Sequence, residues 1–227
     1  MPKTSKSRAL RLIVVAAILL AIPLVTRPWF LHWGATPAEI QGPWPGDELT
    51  PGPGPTRAIT IHAPAAEVWP WIVQIGQDRG GFYSYTWLEN LLRCDMHNTE
   101  SIIPEYQSRQ EGDTVWMCDP RRFQGQGRTI VARLIANRAM ILAQPSDAAA
   151  VAQTGRAPSG TWGVVLDPMD GQTTRLIMRS RAGGSQGWLG KLWFWFVFDP
   201  AHFIMERRMM IGIKQRAERR SGNQEGG

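Results

Sequence analysis

The chain has 227 residues, 43% of them hydrophobic and 19% charged, enough for one substantial core with additions and too little for two full domains. Its net charge of +6 comes partly from the ends, from Lys3, Lys6, Arg8 and Arg11 and from Arg207, Arg208, Lys214, Arg216, Arg219 and Arg220. No recognised motif or basic face with stacking aromatics accompanies this charge, so nucleic acid is not an expected partner and the ends read as membrane-surface or solvated charge.

Residues 1–33 read as a basic segment and a single transmembrane anchor. The apolar run Leu12 to Val25 spans only about 21 Å at about 1.5 Å per residue, short of a hydrocarbon core of about 30 Å. Arg11 and Arg27 can snorkel, and Trp29 and Trp33 suit the interface. No small-residue cleavage site follows the run, which favours an uncleaved anchor. The basic residues before it put the N-terminus in the cytoplasm and the globular part outside. Residues 34–56, with GPWPGDELTPGPGPT at their centre, form a proline- and glycine-rich strap, and Trp44 and Leu49 suggest that it packs on the domain.

The domain itself is assigned to 57–219, with a disordered tail at 220–227. Arg57 to His62 alternates as a first strand. Pro64 opens a helical pattern through Val68, Ile72 and Ile75, kinked at Pro70, and Thr86 and Glu89 start a second short helix. Gly76, Gly80 and Gly81 hinge the two. Strands follow at Thr114 to Cys118, Arg128 to Ile135, Arg138 to Gln144, Gly160 to Leu166 and Thr173 to Arg181, and their short connections predict an antiparallel sheet. Ser146 to Ser159 reads as a loop. Trp188 to Phe198 reads as a last strand plus loop closing the core, or as a flap dipping into a bilayer interface. Asp199-Pro200 signals the start of a helix to about Arg219, with Asp199 as N-cap.

The strand Arg57 to His62, then APAAEVWPWIVQIGQDRGGFYSYTWLENLLRCDMHN, then EGDTV, and FIMERRMMIGIKQRAE near the end, resemble the START and polyketide-cyclase-like (SRPBCC) superfamily, and more narrowly a bacterial membrane-anchored branch of it. The resemblance covers Trp33 to Glu218. It implies an α+β helix-grip fold, a curved antiparallel sheet wrapped around a long C-terminal helix with an apolar cavity between them. The superfamily holds carriers, hormone-binding proteins, cyclases and hydrolases, so the fold does not select a function.

On the last helix, Phe203, Met209, Met210, Ile213 and Ala217 form one stripe and Glu206 falls near its centre. A buried carboxylate needs a partner, and Tyr83, Trp162 and His97 are candidates. On the strand Thr173 to Arg181, Arg175, Arg179 and Arg181 share a face that reads as outward. Asp95 and His97 are further acid or base candidates. Cys94 and Cys118 either pair or stay as thiols. No metal spacing, phosphate loop, dinucleotide fingerprint or nucleophile elbow is present, so no cofactor or metal is expected.

These readings predict a membrane-tethered protein that binds a hydrophobic small molecule or lipid. The expected lining is Trp71, Phe82, Tyr83, Tyr85, Trp116, Trp162, Glu206 and Met210. The rivals are a cyclase- or hydrolase-type enzyme using Glu206, Asp95 or His97, and a structural envelope protein with a filled core.

Overall fold

The computed structural model describes residues 24–183 and 187–225, with residues 10, 11, 14, 15, 21 and 22 before them. Much of the predicted membrane anchor lies outside the described residues. Among the described residues, no helix is long and apolar enough to cross a membrane.

The architecture is α+β. Six strands form one antiparallel sheet in the order β1-β6-β5-β4-β3-β2: β1 Thr56–Ile61, β2 Thr114–Trp116, β3 Arg128–Ile135, β4 Ala139–Ala143, β5 Gly160–Pro168 and β6 Thr174–Ala182. All six lie where alternation and turn residues predict them. A register shift between Val131 and Arg133 marks a bulge in β3.

One sheet face carries the main core. Ile61, Val131, Met140, Leu142, Val164, Leu166, Leu176 and Met178 pack there against the helices α2, Ala65–Val73, and α6, Asp199–Glu225. From α6 come Met209, Met210, Ile213 and Ala217, the predicted stripe. Gly212 lets α6 lie directly on the loop after α2, because a Cβ there would collide with the Tyr83 carbonyl. That loop is closed by paired backbone bonds between Gly76 and Gly81, whose φ angles of 135° and 75° suit glycine. A disulfide joins Cys94 to Cys118, resolving the alternatives left by the sequence.

The other face is covered by the strap, which contributes the short helix α1, Pro37–Gln41, and the buried Leu49. The β6 arginines hold it. Arg175 makes a two-pronged pair with Glu39 at 2.7 and 2.8 Å. Arg179 donates to Asp47 at 2.8 Å and to the carbonyls of Glu39 and Gly42, and Arg181 donates to the same Asp47 oxygen at 3.1 Å. The arginine face does point away from α6, but onto the strap rather than into solvent.

Several local expectations change. Ser146 to Ser159 contains a helix, α4, Ala148–Thr154, rather than only loop, with the Asp147 carboxylate accepting from the Ser159 backbone N–H and hydroxyl. The second short helix, α3, Thr86–Leu91, is not folded into the core: Trp87 and Leu91 are exposed, whereas Glu89 turns an oxygen inward without a partner, and burial pushes its pKa up to about 7. Trp188 to Phe198 is helical, not a strand. It forms α5, Trp188–Trp193, then a π-turn, Phe194–Phe198, that runs without a break into α6. Asp199 therefore has helical dihedrals and is no N-cap. Pro200 supplies the reason for the widened turn, since it has no N–H to donate and its ring crowds the turn before it.

The strap clamp yields a prediction. Asp47→Asn leaves Arg179 and Arg181, both almost fully buried, without their carboxylate. The expected cost is about 3 kcal/mol, lowering the thermal midpoint by about 6–12 °C. Differential scanning fluorimetry of the full chain reads it.

Candidate functional site

Glu206 is nearly fully buried beneath the sheet, at the level where the N-terminal half of α6 crosses β1 and β5. Its Oε1 accepts the indole N–H of Trp162 at 2.7 Å, one of the partners expected from sequence. Its Oε2 pairs with Arg57, whose side chain is 0% exposed. Sequence reasoning placed Arg57 at the start of the first strand but did not name it as a partner of Glu206. Counted by twos from Ile61 and Ile59, Arg57 falls on the inward face.

Arg57 is itself anchored. Its Nε donates to the Phe30 carbonyl at 2.7 Å, and its guanidinium lies 5.3 Å from the Phe203 ring centroid. Its Nη1 faces His202 Nδ1 at 3.3 Å. His202 Nε2 lies 3.8 Å from Glu206 Oε1, one helical turn before it. The imidazole stacks on Phe198 with centroids 5.4 Å apart and meets Trp162 edge-on.

The electrostatics follow from this cage. Burial alone would raise the Glu206 pKa, but the neighbouring His202, the Arg57 charge and the hydrogen bonds from Arg57 and Trp162 outweigh it and hold the carboxyl below its ordinary value. Burial, reinforced by Arg57, lowers the His202 pKa against the pull of Glu206. A neutral His202 accepts from Arg57 at Nδ1 and carries its proton on Nε2, towards Glu206.

Beside this network opens a cavity of about 920 Å3. Its floor is Leu142, Thr161 and Trp162 of the sheet, and its walls are Asp199 and His202 of α6, Gly52 to Pro55 of the strap, Arg27 and Leu31, and the π-turn residues Phe194, Trp195 and Phe198. It thus lies at the N-terminal end of α6, not along the whole sheet-helix interface.

Of the predicted lining, Trp162 is on this cavity and Glu206 stands directly behind it. Trp71, Phe82, Tyr83 and Met210 are packed in the main core. The Tyr83 hydroxyl accepts from Gln74 at 2.9 Å rather than meeting Glu206, and burial raises its pKa. Tyr85 is half-buried under Arg208 at the start of α3, and Trp116 lies under Arg128 on β2. Asp95 and His97 sit together after α3, where the exposed His97 ring meets the Asp95 carbonyl at 3.2 Å, and neither is a partner of Glu206. His202, four residues before Glu206, is the cavity histidine that helical spacing could have picked out. Among the described residues, no group of three or more histidine, cysteine, aspartate or glutamate side chains could hold a metal ion.

No family model, curated protein or solved structure matches the chain.

The buried pair predicts an asymmetry between breaking it and replacing it. Glu206→Gln leaves Arg57 uncompensated and is expected to cost about 3–5 kcal/mol. Arg57→Met with Glu206→Leu should recover most of that, leaving about 1–3 kcal/mol for the unpaired Trp162 N–H. The pH dependence has a definite sign. His202, lowered in the fold, costs stability as pH falls below its ordinary 6.5, and Glu206, also lowered, adds a loss below its ordinary 4.5 as pH falls through its folded value. Urea unfolding from pH 8 to pH 3 should show both losses in the parent chain and only the upper one in Glu206→Gln.

Proposed function

We propose that the chain is a membrane-tethered helix-grip protein of the START and polyketide-cyclase-like type that holds a hydrophobic small molecule or lipid. The observation that carries the proposal is the cavity, whose volume lies within the range of about 300–1,000 Å3 usual for ligand pockets. Its apolar half, Leu31, Leu142, Trp162, Phe194, Trp195 and Phe198, supplies burial at about 25 cal/mol per Å2, and a few polar groups fix orientation. An antiparallel sheet packed on a long C-terminal helix supports the helix-grip assignment. The disulfide supports an oxidising compartment and hence an outward-facing domain.

The surface around the cavity supports the tether. Trp188 is 70% exposed and Trp193 58%, and Leu189 and Val197 on the same helical run are exposed as well. Residues 24–31 are helical and add exposed Val25 and Trp29. Arg27 joins the two groups, pairing with Asp199 at 2.7 Å and lying 5.0 Å from the Trp195 ring centroid. Apolar residues grouped in this way, next to the predicted anchor, suit a bilayer interface where tryptophan is stable. A lipid could then pass from the membrane to the cavity without crossing water.

One observation favours the enzyme as a second reading: His202 is on the cavity wall and beside Glu206, so a titratable side chain borders the bound molecule. Any turnover by that route would be lost in His202→Phe while the ligand still binds.

Two measurements test the carrier. Native mass spectrometry with solvent extraction of the gently purified full chain should find one lipid or isoprenoid per protein, and a chain that is empty and binds no added lipid would reject the proposal. In liposomes, brominated phosphatidylcholine should quench tryptophan emission of the full chain, and Trp188→Ser with Trp193→Ser should remove a substantial part of that quenching. Unchanged quenching would reject the membrane-facing flap.

A further inference from the structure

The polar side of the cavity is unevenly charged. Arg27, Arg179, Arg181 and Lys191 line it, and the only carboxylate among its lining residues is that of Asp199. Asp199 is taken by Arg27. Asp47, behind the wall, offers a single oxygen to both Arg179 and Arg181. Lys191 has no carboxylate within ion-pair distance among the described residues. Two of the four cations are therefore unmatched within the wall.

The hydrogen-bond inventory leans the same way. Arg27 Nε and His32 Nδ1 are buried, belong to residues lining the cavity, and have no partner. Burial lowers the His32 pKa, and the nearby positive charges of Arg57, Arg179 and Arg181 lower it further. The same cavity is also lined by Leu31, Ile40, Leu142, Phe194 and Phe198, whose side chains offer nothing to a charged group.

We infer that the cavity selects an amphiphile with an anionic head, a carboxylate or a phosphate, seated at Lys191, Arg181 and Arg27 with its tail against the aromatic wall. This rests on the carrier reading of the same cavity and names the chemical class of its ligand. An anionic head would give Lys191 its missing counter-ion and Arg27 Nε an acceptor, and charge-assisted bonds of this kind are the stronger ones. A neutral head could accept a hydrogen bond from Arg27 Nε but would leave Lys191 without a counter-ion, and a cationic head would be repelled.

The test is a titration of the full chain in non-ionic micelles, read by native mass spectrometry, with dodecanoate, dodecyl phosphate, 1-dodecanol and dodecyltrimethylammonium as probes of one tail length. Dodecanoate or dodecyl phosphate should bind at least about tenfold more tightly than dodecanol, with the cation weakest, and the preference should shrink as salt is raised. The tighter of the two anions assigns the head as a fatty-acid carboxylate or a lipid phosphate. Lys191 is exposed, so Lys191→Glu should fold normally, weaken the anions by about tenfold and leave dodecanol unchanged. Equal binding of dodecanol and the anions, or no effect of Lys191→Glu on the anions, overturns the inference while the carrier reading stands. Binding of none of the four probes overturns both.

Discussion

The buried contact between Arg57 and Glu206 is the constraint on which the rest of the structure depends. Two charges taken out of water at this depth are tolerated only when most of their remaining donors and acceptors are drawn into the arrangement, and here Arg57 Nη2 alone of the pair is left without a partner. Glu206 is therefore held from β5 by Trp162, and Arg57 reaches back to the Phe30 carbonyl. One ion pair thus fixes α6 against both β1 and β5 and docks the segment that leads from the N-terminus. Apolar packing alone would let a long helix slide by a turn at modest cost. A carboxylate that must meet one guanidinium and one indole permits a single register.

The same logic, with the opposite exposure, holds the strap. A stretch rich in proline and glycine has few backbone hydrogen bonds of its own to offer, so its position must come from side chains. The β6 arginines supply this by reaching carbonyls as well as carboxylates: Arg179 alone binds Glu39, Gly42 and Asp47. The sheet is thus covered on one face by helices bound through apolar contact and on the other by irregular chain bound through guanidinium groups. Further along the strap the Pro55 carbonyl accepts from the Ser180 backbone N–H at 3.0 Å, and Gly52 to Pro55 form part of the cavity wall.

Much of this was legible in the sequence. Period-two alternation and turn residues locate all six strands, because each buries at least one face and so carries the pattern. The stripe of α6 and the anomaly of Glu206 were also readable, since a helix wheel needs only local spacing. What local spacing does not carry is the identity of a partner 149 residues away, and Arg57 was overlooked for that reason. The segment Trp188 to Phe198 misled differently. Its aromatic residues have strand propensity, but an exposed face rewards no alternation, and helical continuity with α6 decides its conformation.

The location of the cavity follows from how α6 is held at its two levels. Near Gly212 the helix lies against the Tyr83 backbone, and Trp71, Phe82, Met209 and Met210 fill the space beside it, so the sheet-helix interface expected to hold a ligand is solid. At the N-terminal end the chain cannot pack in this way. Pro200 widens the preceding turn, the residues from Trp188 to Phe198 stand away from the sheet, and Asp199 is turned to Arg27 rather than inward. The gap left between the π-turn and the end of the sheet is the cavity, and the Arg57, Glu206 and His202 network closes its inner end. The element that keeps α6 in register is thereby the wall between a solid core and an open pocket, so any ligand in that pocket rests against the most tightly determined side chains of the fold.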